Sequence, residues 1–213
     1  MSYGPDCVRE SMWQDVFWGG LTGALTFGVV MALLFYLQKR DEELRIEVSE
    51  CGYMGLFALC VFMGGGIFCL EQGNYVRMVT GILMLAYLTL CSITDRYMQQ
   101  VYDNVQLYAG ILLAALAFCR EIPPGVGAEL IVFGIVQGFL FRRMYGEGDV
   151  MGFLICALSL VEKGILIWMV HMAITYILLG IVQGRKKNVG RDGNLRVPVP
   201  LFPYMACAYI FVF

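Results

Sequence analysis

VFWGGLTGALTFGVVMALLFYL, residues Val16 to Leu37, runs for 22 positions without a charged side chain. A helix crosses the hydrocarbon core of a bilayer with about 20 apolar residues, so this one stretch is already long enough to span. It is too long and too uniform for a cleaved signal peptide, and no small-residue cleavage site follows it. Seven further apolar runs succeed it: Cys51–Leu70, about Tyr75–Ile93, Leu107–Cys119, about Val126–Phe141, Val150–Val161, Ile165–Val182 and a last one reaching Phe213. Eight spans consume roughly 160 residues at about 20 each. That fills most of a chain of 213 residues and leaves no room for a second, soluble domain.

Composition agrees. Hydrophobic residues make up 59% of the chain and charged ones 15%, against about 25% charged in ordinary soluble domains. A soluble globule cannot hide so much apolar surface, and disordered chains are polar and poor in aromatics. A net charge of −2 argues against nucleic-acid binding. The predicted class is all-α: a polytopic membrane helix bundle of about eight transmembrane helices, with six to eight compatible with the shorter runs. It forms a single domain over residues 1–213. Two N-terminal spans and an acidic loop occupy 1–74, and a core occupies 75–213. Val150–Val161 is the shortest run, about 18 Å as a helix. Either that helix starts earlier, near Tyr145, or it starts where the protein lines a polar cavity.

The few basic residues orient the spans. With the Gln38–Glu50 loop in the cytoplasm, Lys39, Arg40, Arg45, Arg96, Arg142, Arg143, Arg185, Lys186, Lys187, Arg191 and Arg196 are inside, and Arg9, Arg77, Arg120 and Lys163 are outside. The positive-inside rule therefore predicts both termini outside. The eight cysteines form no Cys-x-x-Cys pair, so no zinc ribbon is encoded. Most are read as small buried hydrophobes, with a disulfide among Cys7, Cys69 and Cys119 as the alternative. His171, the single histidine, is read as a helix-contact residue. No metal site or cofactor is predicted.

Ionisable groups at membrane depth are costly and usually functional. Asp95 lies just after the third run and just before a polar break, Thr94–Gln106. Asp149 lies just before the sixth run, in Gly146-Glu147-Gly148-Asp149-Val150. The topology puts both at cytoplasmic helix ends, at one membrane depth. Two adjacent carboxylates share a proton, because both cannot easily ionise. The ionised one takes a proton from water and the protonated one donates to a carbonyl oxygen, which is the chemistry of aspartic proteolysis. The glycines beside Asp149 leave room for an extended substrate backbone.

These residues resemble the type IV prepilin peptidases, membrane aspartic proteases of the Gly-x-Gly-Asp class. Three patterns carry the resemblance: Asp95-Arg96-Tyr97-Met98-Gln99-Gln100-Val101-Tyr102-Asp103-Asn104, then Gly146-Glu147-Gly148-Asp149-Val150, then Val199-Pro200-Leu201-Phe202-Pro203-Tyr204-Met205-Ala206. It covers about Tyr75 to Phe213; the first two spans match only in hydrophobicity. It implies Asp95 and Asp149 as the catalytic pair, Gly146, Glu147, Gly148, Pro200 and Pro203 as substrate-binding residues, and water as the only co-reactant. Asp103 and Glu147 are the nearby carboxylates not expected to do the chemistry. The implied partner is a prepilin-like precursor with a basic leader in the cytoplasm and a hydrophobic helix in the bilayer. Cleavage would fall at the cytoplasmic boundary of the inner or plasma membrane. The chain departs from the family pattern at Tyr102, usually proline, and at Met151, often lysine. It also lacks the two Cys-x-x-Cys pairs of the methylating members, which implies a peptidase-only short form. The presenilin branch, whose Tyr-Asp motif lies inside a span, fits less well, because Tyr102-Asp103 falls in the polar break.

An electrostatic role for Asp41, Glu42, Glu43, Glu47 and Glu50 in attracting a basic leader is one reading of the first cytoplasmic loop; a solvated connector is the plainer one. Two other functions remain open on sequence: a small proton- or cation-coupled transporter using the same aspartates, and a non-catalytic component of a pilus or secretion assembly.

Overall fold

The computed structural model describes residues 5–40, 49–71, 73–120, 122–123, 125–141, 146–187 and 199–213. The described chain is all-helical, with 89% helix and no strand. It groups into two compact units, Met1–Leu90 and Cys91–Phe213, which divide within one helix.

The first unit holds α1 (Pro5–Arg40), α2 (Glu50–Leu70) and the first part of α3 (Tyr75–Met98). Side-chain caps start two of these helices. Ser49 Oγ accepts the Gly52 N–H at 3.2 Å, and Asn74 Oδ1 accepts the Arg77 N–H at 3.1 Å, each meeting a donor that helix geometry leaves over. α1 and α2 meet backbone to backbone. A Cβ on Gly23 would lie 2.2 Å from the Cys60 carbonyl oxygen, and one on Gly19 would lie 2.6 Å from Gly65 Cα. Gly-x-x-x-Gly spacing of this kind is how helices pair where lipid removes the usual hydrophobic drive. The outward faces carry large apolar groups such as Phe35 and Phe62, the latter 80% exposed.

The second unit continues α3 and adds α4 (Asp103–Phe118), α5 (Val126–Val136), α6 (Glu147–Ser159), α7 (Gly164–Lys187) and α8 (Phe202–Val212). A π-helical turn, Gln137–Phe141, extends α5, and a 3-10 turn, Val161–Lys163, joins α6 to α7. Gly164, at φ +75°, makes the bend into α7, and Glu129 Oε2 accepts the Ile165 N–H there at 2.9 Å. Phe153, Trp168, Phe202 and Met205 form the buried core. Several polar groups inside it are paired across helices. Ser159 Oγ meets Tyr209 Oη at 2.9 Å, Trp168 Nε1 donates to the Leu160 carbonyl at 3.0 Å, and His171 Nε2 lies 3.0 Å from the Met205 carbonyl oxygen. His171 is thus a helix contact between α7 and α8, as its isolation in the sequence suggested.

Four helical segments are long and apolar enough to cross a membrane: Gln14–Arg40, Gly52–Leu70, Tyr75–Met98 and Val161–Gln183. Asp103–Phe118, Val126–Phe139 and Phe202–Val212 are apolar but shorter. α6, with 13 residues, is about 20 Å long. It begins at Glu147, ahead of the apolar run but later than the start near Tyr145 expected for it, and takes in Gly148 while Gly146 stays outside as N-cap.

Several predicted ends are corrected. The polar break expected over Thr94–Gln106 is only Gln99–Tyr102, because α3 continues to Met98 and α4 starts at Asp103. Asp95 therefore lies within α3 and not after it. α7 runs on to Lys187, into the segment read as a basic loop. Among the cysteines, Cys60, Cys91 and Cys156 are buried, whereas Cys69, Cys119 and Cys207 are exposed; all six are free thiols. The Cys7 side chain, the acidic loop residues 41–48, Arg142, Arg143, Arg191 and Arg196 lie outside the described residues.

Candidate active site

Asp95 sits on the last turn of α3, where it is only 8% exposed. Its Oδ2 accepts the backbone N–H of Phe202 at 2.8 Å, and the Leu201 N–H is also directed to the carboxylate. Phe202 is the first residue of α8. The free amides of a helix start carry partial positive charge and have no partner within their own helix. Asp95 supplies that partner from 107 residues away in sequence. Pro203 is the second residue of α8. Having no N–H, it adds no donor and suits a helix start. Pro200 lies half-buried in the non-helical approach to that start.

Just beyond Asp95 helix α3 ends. Gln99 takes φ +56°, the one positive value at a non-glycine among the described residues, and its N–H donates to the Asp95 carbonyl at 2.9 Å. This is a left-handed helix stop. Tyr102, the N-cap of α4, adopts φ −73° and ψ 122°, a backbone that proline also adopts. Asp103 is exposed on the first turn of α4.

Asp149 is the third residue of α6, and Gly146 is its N-cap. The Asp149 carboxylate accepts the Gly146 backbone N–H. This is the reaching-back half of a capping box, made by aspartate in place of the usual glutamate. Glu147 is exposed at the first position of the helix. The apolar run of α6 begins only at Val150, so Asp149 stands ahead of it, half-buried. Burial first, and the charge of Asp95 second, push its carboxyl up to about 6, against the opposing pull of the Gly146 amide. The two sequence-predicted aspartates are thus close enough to act on one another, and each carboxylate meets the amide end of a helix, Asp95 that of α8 and Asp149 that of its own α6.

One residue couples the two anchor points. A Cβ on Gly152 would lie 2.7 Å from Phe202 Cζ and 3.1 Å from Met205 Cε. Gly152 is one turn beyond Asp149 on α6, and Phe202 is the residue whose amide holds Asp95. Any larger residue there would have to displace the ends of the Phe202 and Met205 side chains. Gly146 and Gly148 differ. Neither has a positive φ, and a Cβ would meet only ordinary contacts: 3.7 Å to Asp149 Oδ2 from Gly146, and 3.6 Å to Gln106 Nε2 from Gly148. Nothing within the described chain requires glycine at either position.

Gln106, Gly152 and Phe202 were not singled out from the sequence. Gln106 was counted with the polar break, yet it is a buried residue of α4, 3% exposed, and its Nε2 donates to the Gly148 carbonyl at 2.7 Å. The signal for it was the position of Asp103 as a helix-start residue, which places Gln106 on the first turn of a helix. Comparison with family models, with curated proteins and with solved structures finds no match for the chain.

Proposed function

We propose that the protein is a membrane aspartic endopeptidase that removes the basic leader from type IV prepilin-like precursors, with its active site at the cytoplasmic face of the inner or plasma membrane. The observation that carries this reading is the Asp95–Asp149 pair, in which one carboxylate is held by the α8 amides and the other is raised to about 6 beside it. A carboxyl near 6 exchanges protons readily around neutral pH, which suits general acid–base work.

In this mechanism the pair shares one proton. Asp95, already an acceptor of backbone N–H, takes a proton from a water held between the two groups. The water oxygen attacks the scissile carbonyl carbon while protonated Asp149 donates to the carbonyl oxygen, giving a neutral tetrahedral diol. Collapse returns a proton through the pair to the leaving amine, breaks the C–N bond and restores the starting state. The glycines at 146 and 148, which the chain's own packing does not require, leave open backbone beside Asp149 for an extended substrate segment. Glu147, Pro200 and Pro203 are the other residues that the resemblance assigns to substrate binding. The resemblance to prepilin peptidases, read from the three motifs, supplies the substrate class.

The test is cleavage of a co-expressed prepilin bearing a Gly–hydrophobic junction. Asp95→Asn and Asp149→Asn should each abolish processing while the protein still accumulates in the membrane fraction, and Asp103→Asn should retain substantial activity. Processing by either single active-pair variant refutes the two-aspartate mechanism. Proton-coupled transport without proteolysis by purified wild-type protein refutes the assignment.

A further inference from the structure

We infer that Gln106 is a positioning residue for Asp149, acting through the peptide group that joins Gly148 to Asp149. The inference deepens the peptidase reading and rests on it for its activity arm. Gln106 comes from α4, and its donation to the Gly148 carbonyl at 2.7 Å is at the short end of the N–H···O range. The other end of the same peptide group is held as well, since the Asp149 N–H donates to the Gly146 carbonyl at 3.1 Å. A peptide plane fixed at both ends fixes the direction in which the next Cα projects its side chain. That side chain is the Asp149 carboxylate.

A purely structural role is a poor account of this bond. The Gly148 carbonyl lies at the second position of α6, where the helix itself supplies a partner from four residues on, so the carbonyl does not need Gln106 for satisfaction. Burying a long amide-bearing side chain to make a second bond there costs conformational freedom. The return is orientation of a group for which a misplacement of about 1 Å costs up to ~10²-fold in rate. The described ionisable groups on the adjoining helix ends are Asp95, Arg96 and Tyr97 of α3, Tyr102 and Asp103 at the start of α4, Glu147 of α6 and Tyr204 of α8.

The experiment compares Gln106→Leu, which keeps the bulk but cannot donate, with Gln106→Glu, which donates only while protonated. On a prepilin substrate, Gln106→Leu should lower kcat ten- to a hundredfold with KM little changed. Gln106→Glu should approach wild-type kcat at acid pH and fall away as its carboxyl ionises. A second readout does not depend on proteolysis: the infrared carboxyl band of Asp149, assigned by its loss in Asp149→Asn. Its titration midpoint should move down toward the ordinary carboxylate range in Gln106→Leu and up in Gln106→Glu. Wild-type kcat together with an unmoved midpoint in Gln106→Leu overturns the inference. If wild-type protein cleaves no prepilin but the midpoint moves as stated, the positioning inference stands and the peptidase reading falls.

Discussion

Replacing Gly152 by alanine tests whether α6 and α8 are held at the separation the aspartate pair needs. The added Cβ would stand 2.7 Å from Phe202 Cζ, while ordinary contact begins at 3.4 Å, so the ring must give way by about 0.7 Å. Phe202 is fully buried at 0% exposure, so its ring can move only by displacing packed neighbours. If its backbone follows the ring, the amide bond to Asp95 stretches from 2.8 Å to about 3.5 Å, past the useful range. Overpacking of this kind costs about 1–3 kcal/mol of stability, which a folded membrane helix pair can survive. The catalytic effect is larger, because a misplacement of about 1 Å costs up to ~10²-fold in rate. The expected result is a ten- to a hundredfold fall in kcat for prepilin processing, measured in detergent micelles at saturating substrate, with the protein still monodisperse. Phe202→Leu in the same chain removes the offending ring end and should recover part of the loss. Gly152→Ala processing at the wild-type rate, or a loss that Phe202→Leu leaves untouched, would refute the coupling of the two helices through this contact.

Two further outcomes follow from groups that are costly where they stand. Asp149 is raised from 3.8 to about 6, so the folded state binds its proton more tightly than the unfolded state does. Stability therefore declines as pH rises from about 4 to about 6 and stays low above that. Asp149→Asn, which keeps an acceptor for the Gly146 amide, should have a higher Tm than wild type at pH 7.5, and scanning fluorimetry should show the gap closing as pH falls through that window; a constant gap would contradict it. Gln137, 1% exposed, donates to Met172 Sδ at 2.7 Å but leaves its Oε1 buried without a hydrogen-bond partner. An unmet buried acceptor costs about 1–3 kcal/mol, so Gln137→Leu should leave Tm unchanged or raise it; a clear drop would show that the amide serves the π-helical turn.

How far the sequence could be read depended on whether the deciding force was local. Val16–Leu37 declares itself, because solvation by lipid acts on every side chain of the run. Asp95 and Asp149 stood out for the same reason, as charges where charge is expensive. The end of α3 did not. Hydropathy falls at Thr94, but the helix stops at Gln99, where the backbone changes hand, and that event leaves no hydrophobic trace. Gln106 and Gly152 were hidden differently. Their partners lie 42 residues away at Gly148 and across a helix interface at Phe202, and one glutamine or one glycine in a chain with 25 glycines gives no hint of such a match. Ile165 likewise shows nothing of its bond to Glu129, 36 residues earlier.

The bond from the Phe202 amide to Asp95 also sets an order of events during synthesis. Both aspartates leave the ribosome well before Phe202 does, and until then Asp95 has no helix start to hold it. A half-made chain therefore carries both acids but not their shared setting, and Asp95 gains its amide partner only when α8 docks. On the peptidase reading proposed above, biogenesis and activation are in this sense one step, with α8 acting as the key that turns on a lock already in the membrane.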